Sequence, residues 1–483
     1  MYPNVNRPLL LAAALVALLG SAAGAATITV DTDLDADAAD GVCSIREAIL
    51  AANSDAARNE CPAGDGADHI HLAFSTPDAI FLTDHLPAIT ESLAIHGSGV
   101  DLVILDGSDS YRAITVESPS NGISLVVQDL TLRDGRTRIG DFGGGGAMID
   151  GGASALFERV VFVSNSSVNA GGGMVVGSGG AGGESHVTLV ECTFRENVAE
   201  GPAGGGGLAT TGTGSAVDVL RSVFADNQAT LSAGGGIVAL DSFITVEEST
   251  ISGNSATIFG GGIWVGTSPE SGASLLIRDT TITDNTCGTS LAVGDGGGLY
   301  LSPGPDHPLA VSLENSVVAG NLDLVGIEQP DLFCGTNLAA FAATGSSLIG
   351  ANDGCEAFFP AGSPNANGDF VGTVAAPLAP LLLPLADNGG PTPTHRPILT
   401  LPFLISPLID RGSCPDIGAD QRGFGDLAAG LRRVDLVDVP TPPGGDGCDI
   451  GAFEVGADPL FDDLIFADGF ELGHALRWHS ETP

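Results

Sequence analysis

From Leu125 to Asn321 the chain repeats one pattern, apolar-x-apolar-x-charged-small-x-apolar-x-x-Asn. The copies close on Asn165, Asn197, Asn227, Asn254, Asn285 and Asn321, and a related earlier copy ends at Gly135. The asparagines are separated by 32, 30, 27, 31 and 36 residues, so loop length varies while the motif holds. A unit this short cannot bury a core alone and must stack on its neighbours, which predicts a solenoid. Aligned on the asparagine, each position becomes a column. Ten residues upstream stand Ala155, Val187, Val217, Ile244, Leu275 and Val311; eight upstream stand Phe157, Leu189, Val219, Val246, Ile277 and Leu313. Apolar residues alternating in this way mark a strand with one buried face. Three upstream stand Phe162, Phe194, Phe224, Ile251, Ile282 and Val318, of opposite parity, so a bend must intervene.

The bend falls on two further columns. Val160, Cys192, Ser222, Ser249, Thr280 and Ser316 are mostly small and suit a crowded inner corner, with Cys192 a buried thiol. Beside them Asp129, Arg159, Glu191, Arg221 and Glu248 alternate in sign before Asp279. Stacked about 4.8 Å apart, such residues attract from coil to coil, whereas like charges would repel. A glycine run precedes each short apolar strand, as at Gly171 to Gly173 before Met174 and Gly204 to Gly207 before Leu208. Glycine there supplies positive φ and close approach between turns. The asparagines are expected to form an amide ladder at another turn.

Units such as Gly171-Gly172-Gly173-Met174 with Phe194-Arg195-Glu196-Asn197 resemble right-handed parallel β-helix repeats, and are similar to those of chlamydial polymorphic outer membrane proteins. The expected fold is therefore all-β, a right-handed parallel β-helix with a short N-terminal capping helix. That helix is read from Ser44 and Glu47, spaced for a capping box, followed by the helix formers Ala48 to Ala52, with Ile45 and Ile49 sharing one face. It would cover the raw apolar end of the solenoid. Cys43-Ser44-Ile45-Arg46-Glu47-Ala48 resembles the CSLREA motif at the start of many secreted bacterial β-helix proteins, with Ile45 in place of leucine.

Four distal motifs resemble, in order, the choice-of-anchor Q domain of bacterial surface and secreted proteins. They are Asn388 to His395, Ser406 to Asp410, Asp420 to Gly423, and Cys448 to Glu454. That resemblance implies a fold and a location rather than a reaction. Arg7, the apolar run Leu9 to Leu19 and the small residues before Ala25 read as a secretory signal cleaved after Ala25. The expected division is signal peptide 1–25, cap and first coils 26–110, repeats 111–325, distal coils and module 326–455, and a tail 456–483 that is either a sorting signal or a last strand.

Composition narrows the chemistry. Of 483 residues 70 are glycine and 43% hydrophobic, too apolar for disorder and too glycine-rich for a helical protein. The net charge is −42, and all 17 basic residues are arginine. This excess excludes nucleic acid, which is held by neutralising phosphates. No segment has the ~20 uninterrupted apolar residues of a transmembrane helix beyond the signal. Cys43/Cys61, Cys334/Cys355 and Cys414/Cys448 are spaced as local disulfide candidates for an exported chain.

Glu196, Asp226 and Asp284, each just before a closing asparagine, are the catalytic candidates, against a solvated-turn reading. Asp31, Asp33, Asp35, Asp37 and Asp40 are Ca²⁺ candidates, although their spacing misses the EF-hand pattern and a hydrated loop is the default. His69 and His71 alternate on a strand and could ligate a metal from one side, but the sequence names no third ligand and packing is the default reading. No other cofactor is implied. The expected function is a secreted or cell-surface bacterial scaffold, adhesive and non-catalytic, binding glycan or matrix. The alternatives are a polysaccharide lyase or glycoside hydrolase on the same scaffold, and a structural surface-layer component.

Overall fold

The computed structural model describes residues 25–456 apart from 118–121, 178–182, 269–270, 290–293, 307–308, 326–329, 337, 344, 401–403, 415–417, 425–435 and 437–445. The expected signal segment 1–24 and tail 457–483 lie outside the described residues. The chain winds into a parallel β-helix whose coils hydrogen bond one above the next. Strands such as His186–Val190, Ala216–Leu220, Phe243–Glu247, Ala273–Arg278 and Leu309–Glu314 form a first face. Thr193–Arg195, Val223–Ala225, Thr250–Ser252 and Thr281–Thr283 form a second. An eight-stranded sheet, including Met174–Val176, Ile263–Gly266 and Leu299–Ser302, forms the third.

The columns read from the sequence are the observed register: Leu189 lies opposite both Phe157 and Val219, and Val246 opposite Ile277. Phe162, Phe194 and Phe224 are fully buried and stack ring on ring at 4.3 and 4.6 Å. The bend between the first two faces falls on the charged column. Asp129, Arg159, Glu191, Arg221, Glu248 and Asp279 all have φ between 46 and 58°, a left-handed turn that reverses side-chain parity. Their alternating charges pair, with Arg159 to Asp129 at 2.7 Å and Arg221 to Glu191 and Glu248 at 3.1 and 3.7 Å.

Inside the bend, hydroxyls stitch the small column together. The Ser222 hydroxyl accepts from the Cys192 amide and the Ser249 hydroxyl from the Ser222 amide.

At the next corner the asparagines form the expected ladder. Asn165 Nδ2 donates to Asn197 Oδ1 (3.0 Å), Asn197 to Asn227 (2.8 Å), Asn227 to Asn254 (2.8 Å), Asn254 to Asn285 (2.8 Å) and Asn285 to Asn321 (2.9 Å). Each Oδ1 also accepts the backbone N–H of the preceding asparagine, so buried amides satisfy the corner's backbone. The ladder ends on a carboxylate: Asn321 N and Nδ2 both donate to Asp331 Oδ1. The glycine run packs directly against it. A Cβ on Gly173 would stand 2.6 Å from the Gly207 carbonyl and 2.9 Å from the Phe194 ring.

The helix Ile45–Ser54 starts at the Ser44 cap with both capping-box bonds made, and buries Ile45 and Ile49 in the solenoid core. Cys43–Cys61, Cys334–Cys355 and Cys414–Cys448 are bonded; Cys192 and Cys287 are buried free thiols.

Coil stacking continues to Phe370–Val371. Beyond it the chain doubles back and docks on the second face. The Thr392 hydroxyl donates to the Arg221 carbonyl (3.0 Å), the Thr250 hydroxyl to Gln421 Oε1 (2.5 Å), and the Ala452 amide to the Thr281 hydroxyl (3.1 Å). Behind these bonds three of the four distal motifs meet at one buried pair, Arg422 and Asp420 (2.6 Å, 1 and 0% exposed), and the remaining one joins them through Asp410, whose amide donates to Asp449 (2.8 Å). Arg422 also donates to the carbonyls of Glu454 and Asn388 and lies 3.6 Å over the Phe453 ring.

Candidate functional site

Strand alternation turns half of the first-face side chains outward, and register sorts them into columns. One column runs His71, His96, Gln128, Glu158, Val190, Leu220, Glu247, Arg278 and Glu314; its neighbour includes Thr188, Asp218, Thr245, Leu276 and Ser312. Acidic and basic groups collect towards the distal end. Arg278 Nη2 lies 2.5 Å from Glu247 Oε1, His186 Nε2 lies 2.9 Å from Asp218 Oδ2, and Ser312 donates to Glu314 at 2.8 Å. Burial outweighs the Arg278 guanidinium and, with Asp279, Asp218 and Glu314 nearby, pushes the Glu247 carboxyl up to about 7. A carboxyl that exchanges its proton near neutral pH, with an arginine and further carboxylates beside it, can serve as a general acid or base.

The sequence candidates stand elsewhere. Glu196, Asp226 and Asp284 are exposed corner residues with φ of 56, 56 and 58°. Glu196 and Asp226 sit on adjacent coils, and desolvation followed by Glu196 repulsion raises the Asp226 carboxyl above its ordinary range. Asp284 is two coils further, with Gly253 at the intervening corner. In the acidic loop, Asp31 accepts from the Cys43 amide, Asp35 pairs with Arg46 (2.7 Å) and Thr83, and Asp37 pairs with Arg58 and Asn59, while Asp33 is exposed. These carboxylates are engaged separately and form no common ligand group among the described residues.

His69 and His71, by contrast, gain a partner the sequence did not name: His96, opposite His71 on the next coil. Desolvation, then repulsion among the three rings, holds His71 and His96 below the usual histidine range. His395, in the first distal motif, is structural. Its Nδ1–H donates to the Leu383 carbonyl and its Nε2 accepts from the Ser252 hydroxyl, both at 2.8 Å, and burial lowers its pKa.

A second outward surface lies on the third face. Its column begins with the buried Met148, Val175, Ala209 and Val238 and ends in the half-buried Trp264, Tyr300 and Phe333. Phe259, Tyr300 and Phe333 stack at 4.5 and 4.4 Å. Sequence reading missed both this ladder and the Glu247 group; the alignment on asparagine contained the Glu247 column, seven residues upstream, but its mixed chemistry hid it.

Among known proteins, the family model described as the right handed beta helix region matches residues 103–304, the central coils. No curated protein and no solved structure matches the chain. The architecture is accordingly an all-β, right-handed parallel β-helix closed at its N-terminal end by one short helix.

Proposed function

We propose that this chain is a secreted or cell-surface bacterial scaffold that binds polysaccharide or matrix without turning it over. The observation that carries this reading is the half-buried aromatic column Trp264, Tyr300 and Phe333 on the outside of the third face. With Phe259 and Phe333 stacked on the faces of Tyr300, the rings present a rigid apolar ridge of aromatic edges, against which the C–H faces of a glycan can pack at little entropic cost. The export-like N-terminus and the resemblances to CSLREA and choice-of-anchor Q proteins support the location. The net charge of −42 favours neutral glycans over acidic ones unless a divalent cation bridges.

Glu247 beside Arg278 favours a second reading, a polysaccharide lyase or hydrolase on the first face. The test is to incubate purified protein with neutral and acidic polysaccharides, with and without Ca²⁺, scoring retention in affinity gels and release of reducing ends or unsaturated products. The binding reading expects retention that Trp264→Ala with Tyr300→Ala removes, and no products. Products abolished by Glu247→Gln would replace it with the enzymatic reading. Neither retention nor products would leave both without support.

A further inference from the structure

The first coils carry a group that glycan binding does not use. His69 and His71 lie on one face of the strand Asp68–Leu72, and His96 on the adjoining strand Leu93–Gly97. One nitrogen from each ring lies within 4.8 Å of the other two, and His69 Nδ1 is 3.2 Å from His96 Nε2. Zinc holds imidazole nitrogens at about 2.0–2.1 Å, which in a tetrahedron places them about 3.4 Å apart. The His69–His96 separation of 3.2 Å is already within about 0.2 Å of that value. His71 is the exposed member of the three, so rotation of its ring can complete the set.

The surroundings also suit ligation. Gln128 stands opposite His96 on the next coil and gives its amide nitrogen to Glu158. With its amide nitrogen so engaged, the Gln128 carbonyl oxygen is placed to take an N–H from His96 once the other ring nitrogen, already turned towards His69, holds a metal. A backing of this kind orients histidine ligands in metal sites. A hydrogen-bonded His69–His96 pair alone would not account for the convergence of His71. Neutral imidazoles without carboxylate select zinc and its chemical neighbours over Ca²⁺ and Mg²⁺.

We propose that His69, His71 and His96 form a zinc site that clamps two successive coils near the capped end and leaves the fourth position open to solvent. The site stands independently of any glycan.

The test uses the whole purified chain, stripped with chelator and titrated with Zn²⁺ in millimolar Ca²⁺ and Mg²⁺ to occupy surface carboxylates. One equivalent of Zn²⁺ is expected to bind and to raise the melting temperature, and Co²⁺ in its place should give the visible bands of a four-coordinate nitrogen site. His71→Gln and His96→Gln should each weaken binding at least about tenfold, and Gln128→Leu about tenfold through loss of the buttress. His186→Gln, remote on the same face, should change nothing. All four are surface substitutions whose folding is checked by far-UV circular dichroism. Zinc binding that survives simultaneous replacement of the three histidines, or a wild-type chain that binds no more than that variant, would overturn the proposal.

Discussion

The coils and the distal segment hold themselves together in opposite ways. In the coils every residue type is justified by its column: phenylalanine above phenylalanine, asparagine above asparagine, arginine above carboxylate. Between Leu378 and Val455 the described residues form few strands, and the segment is held to the coils by individual bonds from Thr392, His395, Gln421, Asp449 and Ala452, by Leu408 and Ile450 packed with Val317 and Ala319, and internally by the buried Arg422–Asp420 pair. A periodic structure spreads its stability over many equivalent contacts, whereas an irregular one concentrates it in a few.

Arg422→Ala should break that comparison most sharply. It strands the Asp420 carboxylate in a buried site, a loss of about 3–5 kcal/mol. Limited proteolysis is expected to cut between residues 378 and 455 while the β signal of the coils persists. Equal loss of both regions would mean that the coils depend on the docked segment.

In the coils, Asn227→Ala removes the acceptor of the Asn197 amide and the donor to the Phe194 carbonyl. Each stranded group costs about 1–3 kcal/mol, to be read by chemical denaturation. Hydrogen exchange should speed up most on both neighbouring coils, and less in the distal segment, which docks there through Arg221, Thr250 and Ser252.

The same contrast explains what could be read from the sequence. The phenylalanine stack, the amide ladder, the paired corner charges and the capping helix were legible because each recurs in a column or rests on local spacing. Asp331 was not: it ends the asparagine ladder only ten residues after Asn321, outside the repeat. His96 was hidden for a related reason. The first coils precede the regular unit, so its place beside His71 follows from a register that no motif announces. Docking by His395 and Gln421 depends on partners 143 and 171 residues away, with no period to signal them. Nor did any spacing announce that Asn388, Glu454 and Phe453 would meet at Arg422.

Asp331 sharpens the comparison at the end of the ladder. Burial raises its carboxyl to about 6, against hydrogen bonds from Asn321 and Ala351 that lower it. Because the folded value lies above the unfolded one, its contribution to stability is fully present below the unfolded value and is lost as pH rises through about 6. Relative to Asp331→Asn, the wild-type chain should therefore gain roughly 1 kcal/mol between pH 7 and pH 5. A difference independent of pH would show that the carboxyl does not titrate in that window.

The smallest effect belongs to the outer corner. Arg159→Gln removes the half-exposed pair with Asp129 and should cost only about 0–1 kcal/mol, shrinking further in high salt.

Coil-on-coil register can be measured directly on the outward column Ser124, Ser154, His186, Ala216, Phe243, Ser274 and Ala310. Nitroxides on cysteine at Ser124 and, in turn, at Phe243, Ser274 and Ala310 give three distances by pulsed dipolar spectroscopy, with Cys192 and Cys287 buried from the label. Stacked coils require about 19, 24 and 29 Å, a constant step per coil whatever the loop lengths between them. Distances that fail to grow evenly with coil number would contradict the solenoid and everything assigned to its faces.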